Sequence, residues 1–268
     1  MSIPQQVILP GLTPGFRLSS SGETAFSAAS SRNVLDMTSI LVEVAQAPSE
    51  NRLESLVAAV IRDIDSLELD RVILVGEGFS ATLALQVAAR HPERVEQLFL
   101  SAPVGYISPL SGGRRTPMTM PEVIRHLYSG NDQQVRDAVR VLAGGAVKDV
   151  DALADRYVIE SSHTGVREAA EALATWMAAG EFDLTARPEG DGIREIKQQV
   201  TLVWGRDDLW ACVDSAFYLS RRLRNVRLRI FPHCGHLLSH EASARVERHR
   251  DSVLSGTSTA AAGVGVSA

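Results

Sequence analysis

Apolar residues follow two rhythms along this chain. Short apolar runs stand at Val7–Pro10, Asn33–Met37, Arg71–Val75, Val95–Leu100, Val200–Trp204 and Val226–Phe231, each of a length that suits a buried strand. Between the second and third runs, Leu53, Leu56, Val57, Val60, Ile61, Ile64 and Leu67 recur at three- and four-residue intervals, which predicts an amphipathic helix. A second helix is predicted from Phe79 to about His91, stopped by Pro92, and a last one from about His240 to Leu254. Strands alternating with helices predict an α/β fold whose mostly parallel sheet is flanked by helices on both faces.

The strand rhythm stops from Val104 to Ile196. There "MPEVIRHLY", "QQVRDAVRVLA" and "REAAEALATWMAAGEF" read as short helices, and the stretch is too long to be a loop. The chain therefore divides into a first core part (1–103), a helical lid (104–196), a second core part (197–254) and a tail (255–268) that has no periodicity and reads as disordered. Trp176, Met177, Tyr157, Met118, Met120 and Tyr128 lie in the lid, where they either line a pocket or pack the lid itself.

Composition narrows the partners. Hydrophobic residues make up 45% of the 268 residues and aromatics only 5%, so aliphatic side chains must build the core. The net charge of −5 is spread without a basic run, which argues against nucleic acid and anionic membranes and favours a small, largely uncharged ligand. No basic start leads into a long apolar run and no window suits a membrane span, so the expected location is the cytoplasm, where Cys212 and Cys234 stay as free thiols. No metal-ligand spacing occurs, and "GEGFSA" lacks the third glycine of a dinucleotide fingerprint, so neither metal nor cofactor is expected.

Four segments carry a resemblance. "VILPGL" (7–12) runs from a strand into a turn, and "RVILVGEGFSATLALQVAARHPERV" (71–95) reads strand, tight turn, helix. "LVWGRDDLW" (202–210) sets an aspartate three residues after the glycine that ends a strand, and "FPHCGHLLSHEASARV" (231–246) follows the last strand with G-H-x-x-x-x-E. In this order they resemble the α/β-hydrolase superfamily, in its lidded small-molecule branch, with a lid faintly similar to that of carbon–carbon bond hydrolases acting on ring-cleavage products. The resemblance spans Val7 to Leu254 and implies an α/β-hydrolase fold trimmed at its N-terminal edge, since the family's first two strands have no counterpart.

The resemblance also implies roles. His236 would be the catalytic base and Asp208, rather than its neighbour Asp207, the acid that orients it; His233 and His240 lack the motif's context. Gly76 and Ser80 match the small positions of the nucleophile elbow, which puts Gly78 where the nucleophile belongs. A frame shifted to make Ser80 the nucleophile would place Thr82 where close packing wants glycine. Glu77 occupies a variable position and reads as structural. Backbone N–H groups of Leu12 and Phe79 would form the oxyanion hole, although Pro10-Gly11-Leu12 departs from the family's H-G turn. Asp36 would lie near the mouth as a ligand contact or a turn residue, and Trp176 would touch substrate.

Without a nucleophile, covalent acyl transfer is lost, while a His–Asp base facing two N–H donors can still move a proton next to a carbonyl. The expected activity is therefore non-hydrolytic, a lyase- or cyclase-type step of small-molecule, secondary-metabolite biosynthesis on an apolar carbonyl compound: elimination, cyclisation, isomerisation or cofactor-free oxygenation. Two alternatives stay open. One is a hydrolase using activated water, Ser80, Cys212 or Ser161, or a chain whose serine was exchanged to trap substrate. The other is a receptor or carrier that keeps only the pocket.

Overall fold

A computed structural model describes residues 5–11, 33–46, 52–106, 118–143, 147, 149–180, 184, 192–254 and 264–266. In chain order the elements are β1 (Gln5–Leu9), β2 (Asn33–Val34), α1 (Met37–Ala45), α2 (Arg52–Ser66), β3 (Val72–Glu77), α3 (Phe79–Arg90) and β4 (Val95–Ser101). Four cap helices follow: α4 (Met120–Leu127), α5 (Asp132–Leu142), α6 (Val150–Ser161) and α7 (Val166–Ala178). Then come β5 (Gln199–Gly205), α8 (Val213–Arg222), β6 (Val226–Phe231), α9 (Leu238–Glu241), α10 (Ser243–Leu254) and β7 (Val264–Val266).

The seven strands form one parallel sheet in the order β2-β1-β3-β4-β5-β6-β7. All six residues of β3 are buried, as a central strand covered on both faces requires. The chain steps outward from β1 to β2 and then crosses back to β3, so the order reverses between β1 and β3. Loops leaving the carboxyl ends of two such strands diverge and leave a crevice between them. Gly11 follows β1 and Gly78 follows β3, which sets both at that crevice.

The apolar stripe of α2 buries Leu53, Leu56, Val57, Val60 and Ile64 as its spacing predicts. Four elements differ from the sequence reading. The run at Asn33–Met37 is a strand only at Asn33–Val34, because Asp36 caps a helix there: its Oδ1 accepts from the Ser39 amide (3.2 Å) and its Oδ2 from the Ser39 hydroxyl (2.6 Å). Neither α1 nor α8 was expected from the apolar pattern. The tail expected to lack structure contributes β7, paired with β6 along Leu228–Ile230.

The cap helices carry their own start signals. Thr119 and Glu122 make a reciprocal capping box at α4, Asn131 caps α5 and Asp149 caps α6. Tyr128 and Tyr157 pack edge to face within the cap at 5.8 Å between ring centroids, and both are buried. Among the described residues, no helix is long and apolar enough to cross a membrane.

Candidate active site

At the end of β3 the chain turns on Gly78, with φ 58° and ψ −122°, and α3 begins at the next residue. This positive φ is strained for any side chain and free for glycine. The Gly78 amide donates to the Ser101 carbonyl (2.8 Å), anchoring the turn to β4. Ser80 has a different task from nucleophile: its hydroxyl is buried and donates to the Pro10 carbonyl at 2.6 Å, tying the turn after β1 to α3. Thr82 likewise donates to the Val104 carbonyl at 2.5 Å.

Opposite Gly78, two loops lock together. Gly205, ending β5, lies so close to the backbone of Cys234 and Gly235 that a side chain there would collide with it. The Arg206 and Asp207 amides donate to the carbonyls of Phe231 (2.9 Å) and Cys234 (2.8 Å), stapling the acid loop to the histidine loop. Asp208 then points inward. Its Oδ1 accepts from the Trp210 and Ala211 amides, each at 2.8 Å, and its Oδ2 lies 2.8 Å from His236 Nδ1. A carboxylate accepting at Nδ1 fixes the proton there and leaves Nε2 for chemistry.

The imidazole is braced elsewhere too. The His236 amide donates to the Leu142 carbonyl at the end of α5 (2.8 Å), and the Trp210 ring meets the imidazole edge-on at 4.5 Å. Glu241, the last residue of the G-H-x-x-x-x-E pattern, accepts from the amides on both sides of His236: Gly235 (2.6 Å) and Leu237 (2.9 Å). Burial works against the charged imidazolium, but the Asp208 carboxylate, with Glu77 and Glu241, more than offsets it, so His236 titrates above its ordinary value. A Cβ built on Gly78 would lie 3.2 Å from His236 Nε2, closer than most real Cβ contacts.

Of the other predicted site residues, Leu12 lies outside the described residues. Phe79 is the first residue of α3, at the positive end of that helix's dipole. Asp36 is a helix cap, its carboxylate accepting from the amide and hydroxyl of Ser39. Trp176 is buried in α7 with the Arg52 guanidinium 5.2 Å over its ring, which ties the cap to α2. The Ser161 hydroxyl donates to the Val158 carbonyl one helical turn back (2.8 Å). Neither Cys212 nor Cys234 is in a disulfide.

The sequence reading missed a hollow of about 220 Å³ where the cap meets α9, lined by Val147, Asp149, Ala152, Leu153, Arg156 and His240. Arg156 makes no ion pair among the described residues. Burial, aided by Arg156, pulls His240 down to about 4, so it is neutral at neutral pH. No local motif marks this group, because docking of the cap brings it together. Among the described residues, no cluster of His, Cys, Asp and Glu could hold a metal ion.

Comparison with known proteins agrees with this architecture. The chain is 25% identical over 244 residues to a 2-hydroxymuconate semialdehyde hydrolase of Pseudomonas putida, covering 90% of this chain and 84% of that one. It is 29% identical over 184 residues to a 2-hydroxy-6-oxo-2,4-heptadienoate hydrolase of Pseudomonas putida, covering 69% of this chain but only 63% of that one. Both relatives are hydrolases by name, not lyases or cyclases. Among solved structures, the 2-hydroxy-6-oxo-6-phenylhexa-2,4-dienoate hydrolase of Rhodococcus sp. strain RHA1 shares the fold with a TM-score of 0.70 at 17% identity, over 92% of this chain and 89% of that one. A model of the alpha/beta hydrolase family matches residues 9–249, and the chain belongs to that family.

Proposed function

We propose that this protein is an enzyme of small-molecule metabolism that moves protons on an apolar carbonyl acid through His236 and Asp208, without a covalent intermediate. One observation carries the reading: a buried, fully braced His–Asp pair whose free nitrogen faces Gly78, which has no atom to attack with. In this reading Gly78 stands in the nucleophile's place and offers Nε2 no hydroxyl, so its lone pair is left for a proton of the substrate. His236 takes a proton from a hydroxyl or carbon next to a carbonyl, and the N–H of Phe79 at the start of α3 holds the enolate oxygen. The same proton, returned to another carbon, gives an isomer; expelling a leaving group instead gives an elimination.

The hollow at Arg156 and His240 supports an acidic substrate. The relatives named above act on dienoates and a muconate semialdehyde, conjugated carbonyl acids, and Arg156, which makes no ion pair among the described residues, lines this hollow together with Asp149. A second reading, hydrolysis by water that His236 activates, is favoured by the hydrolase names of those relatives.

Product analysis separates the two. The protein is incubated with 2-hydroxymuconate semialdehyde and related conjugated 2-hydroxy acids, and products are identified by mass. An isomeric or dehydrated product supports proton transfer, whereas addition of water with carbon–carbon cleavage establishes the hydrolase reading. Binding without turnover across the panel would make the chain a carrier. A fluorophosphonate probe should leave the protein unlabelled, and labelling of Ser80 would refute the place given to Gly78.

A further inference from the structure

The His–Asp pair does not use the carboxyl nearest to Gly78 in sequence. Glu77 is the last residue of β3 and only 3% exposed. Alternation along β3 puts it on the face of Ile73 and Val75, which pack with Phe99, Val203 and Leu238 in an apolar layer. A carboxyl in such a layer is costly unless it is paired or protonated. Its partner is Ser239, whose hydroxyl donates at 3.0 and 3.1 Å and whose amide lies at 3.5 Å. Ser101, in register with Glu77 on β4, adds a buried hydroxyl that has no hydrogen-bond partner among the described residues. A small polar island thus sits where an apolar contact would be cheaper.

The island bridges the two halves of the site. Ser239 follows His236 by three residues and opens into α9, so the Glu77–Ser239 bond ties the strand that presents Gly78 to the loop that presents His236. The ionisable groups around Glu77 are His236 and Glu241 from that loop and Tyr157 from α6. Burial pushes Glu77 up to about 7 against the pull of His236 and Ser239, while Glu241 raises it further. Tyr157 is held well above its ordinary value by burial and then by Glu77.

We propose that Glu77 is a positioning residue of this site: through Ser239 it holds the His236 loop against the Gly78 turn, and its negative charge strengthens His236 as a proton acceptor. The inference rests on His236 being the proton carrier of the proposed function. Ionised Glu77 and protonated His236 stabilise each other, so the two titrate as a coupled pair, and the basicity of the site depends on both.

Histidine and carboxyl NMR titrations of the full chain test this without any substrate. The expected result is a two-step titration shared by His236 and Glu77 in the neutral range. Glu77→Gln, which keeps an oxygen for Ser239, should lower the His236 midpoint by about one pH unit, a tenfold loss of proton affinity, and leave a single step. Ser239→Ala keeps the charge but removes its anchor, and should raise the Glu77 midpoint while lowering that of His236. A His236 midpoint unmoved by either variant overturns the proposal. Lack of turnover with these shifts present would sink the proposed function alone; turnover with unmoved midpoints would sink this inference alone.

Discussion

The two sides of the crevice are built to different standards. On the His236 side, the ring is fixed by Asp208 and Trp210, its amide by Leu142, and the amides flanking it by Glu241. On the Gly78 side, the turn keeps a backbone conformation that favours glycine, a bond to Ser101 and the start of α3, yet it presents no side chain at all. A buried imidazole is held this firmly where its ring must keep one orientation. Under the proposed function, the difference means that proton transfer on the well-braced side can operate without covalent attack from the other.

The largest break in that comparison is His236→Ala. Turnover should drop about 10³-fold, the usual scale for a positioned acid–base group, while circular dichroism and ligand binding persist. A variant as active as the parent would make the well-braced side decorative and give the lead to the carrier reading.

Gly78→Ser restores the poorer side. A hydroxyl there would complete Ser–His–Asp, and hydrolysis of small activated esters should rise by about 10²-fold, below what an intact triad supplies because the imidazole must yield space to the new Cβ. Turnover of the native substrate should fall in the same variant. A folded variant with no gain in ester hydrolysis would mean that the α3 N-terminus is not placed to hold an oxyanion, and the role given to Phe79 would go with it.

Glu241→Ala sharpens the richer side by loosening it. Two backbone amides lose a charged acceptor, so the protein should lose about 2 kcal/mol in urea unfolding, with a lower turnover number and little change in substrate affinity. Unchanged stability would show that solvent replaces the carboxylate and that His236 is held by Asp208 alone.

Sequence made the well-braced side legible because its parts lie close together in the chain. Gly205 to Asp208 and Gly235 to Glu241 each carry their geometry within a few residues, so the resemblance to α/β hydrolases could point to His236 and to Asp208 rather than Asp207. The fold was legible for the same reason: buried parallel strands read as continuous apolar runs, and α2 shows its stripe. The rest depends on long-range packing. Asp36 reads as a possible site residue until α1 forms behind it and Ser39 takes up its carboxylate. Arg156 gains a setting only when the cap docks against His240, and Glu77 gains one only when Ser239, 162 residues away, folds onto β3.

The smallest expected effect is in stability against pH, and its two limbs come from different parts of the molecule. His240 and His249 are both pulled down to about 4, by burial first and then by nearby arginines. Their folded values lie below the unfolded value near 6.5, so their contribution is present above 6.5 and is lost as the pH falls toward 4. Glu77 and His236 act in the opposite sense. Glu77 is raised from 4.5 to about 7 and His236 is raised above 6.5, so the stability they contribute is present at low pH and is lost as the pH rises through these values. The two histidines outweigh Glu77 on the acid side, and nothing opposes the site pair above 6.5, so Tm should peak near pH 6.5. Between 6.5 and 8 the loss should be about 1 kcal/mol, which corresponds to about 3 °C for a chain of this size. Calorimetry at pH 5, 6.5 and 8 and constant ionic strength measures it. In Glu77→Gln the alkaline limb should flatten and the acid limb steepen, because Glu77 no longer opposes His240 and His249 there. A parent protein whose Tm continued to climb from pH 6.5 to 8 would show that Glu77 is already ionised in the folded state, and the polar island under His236 would then be an ordinary carboxylate contact.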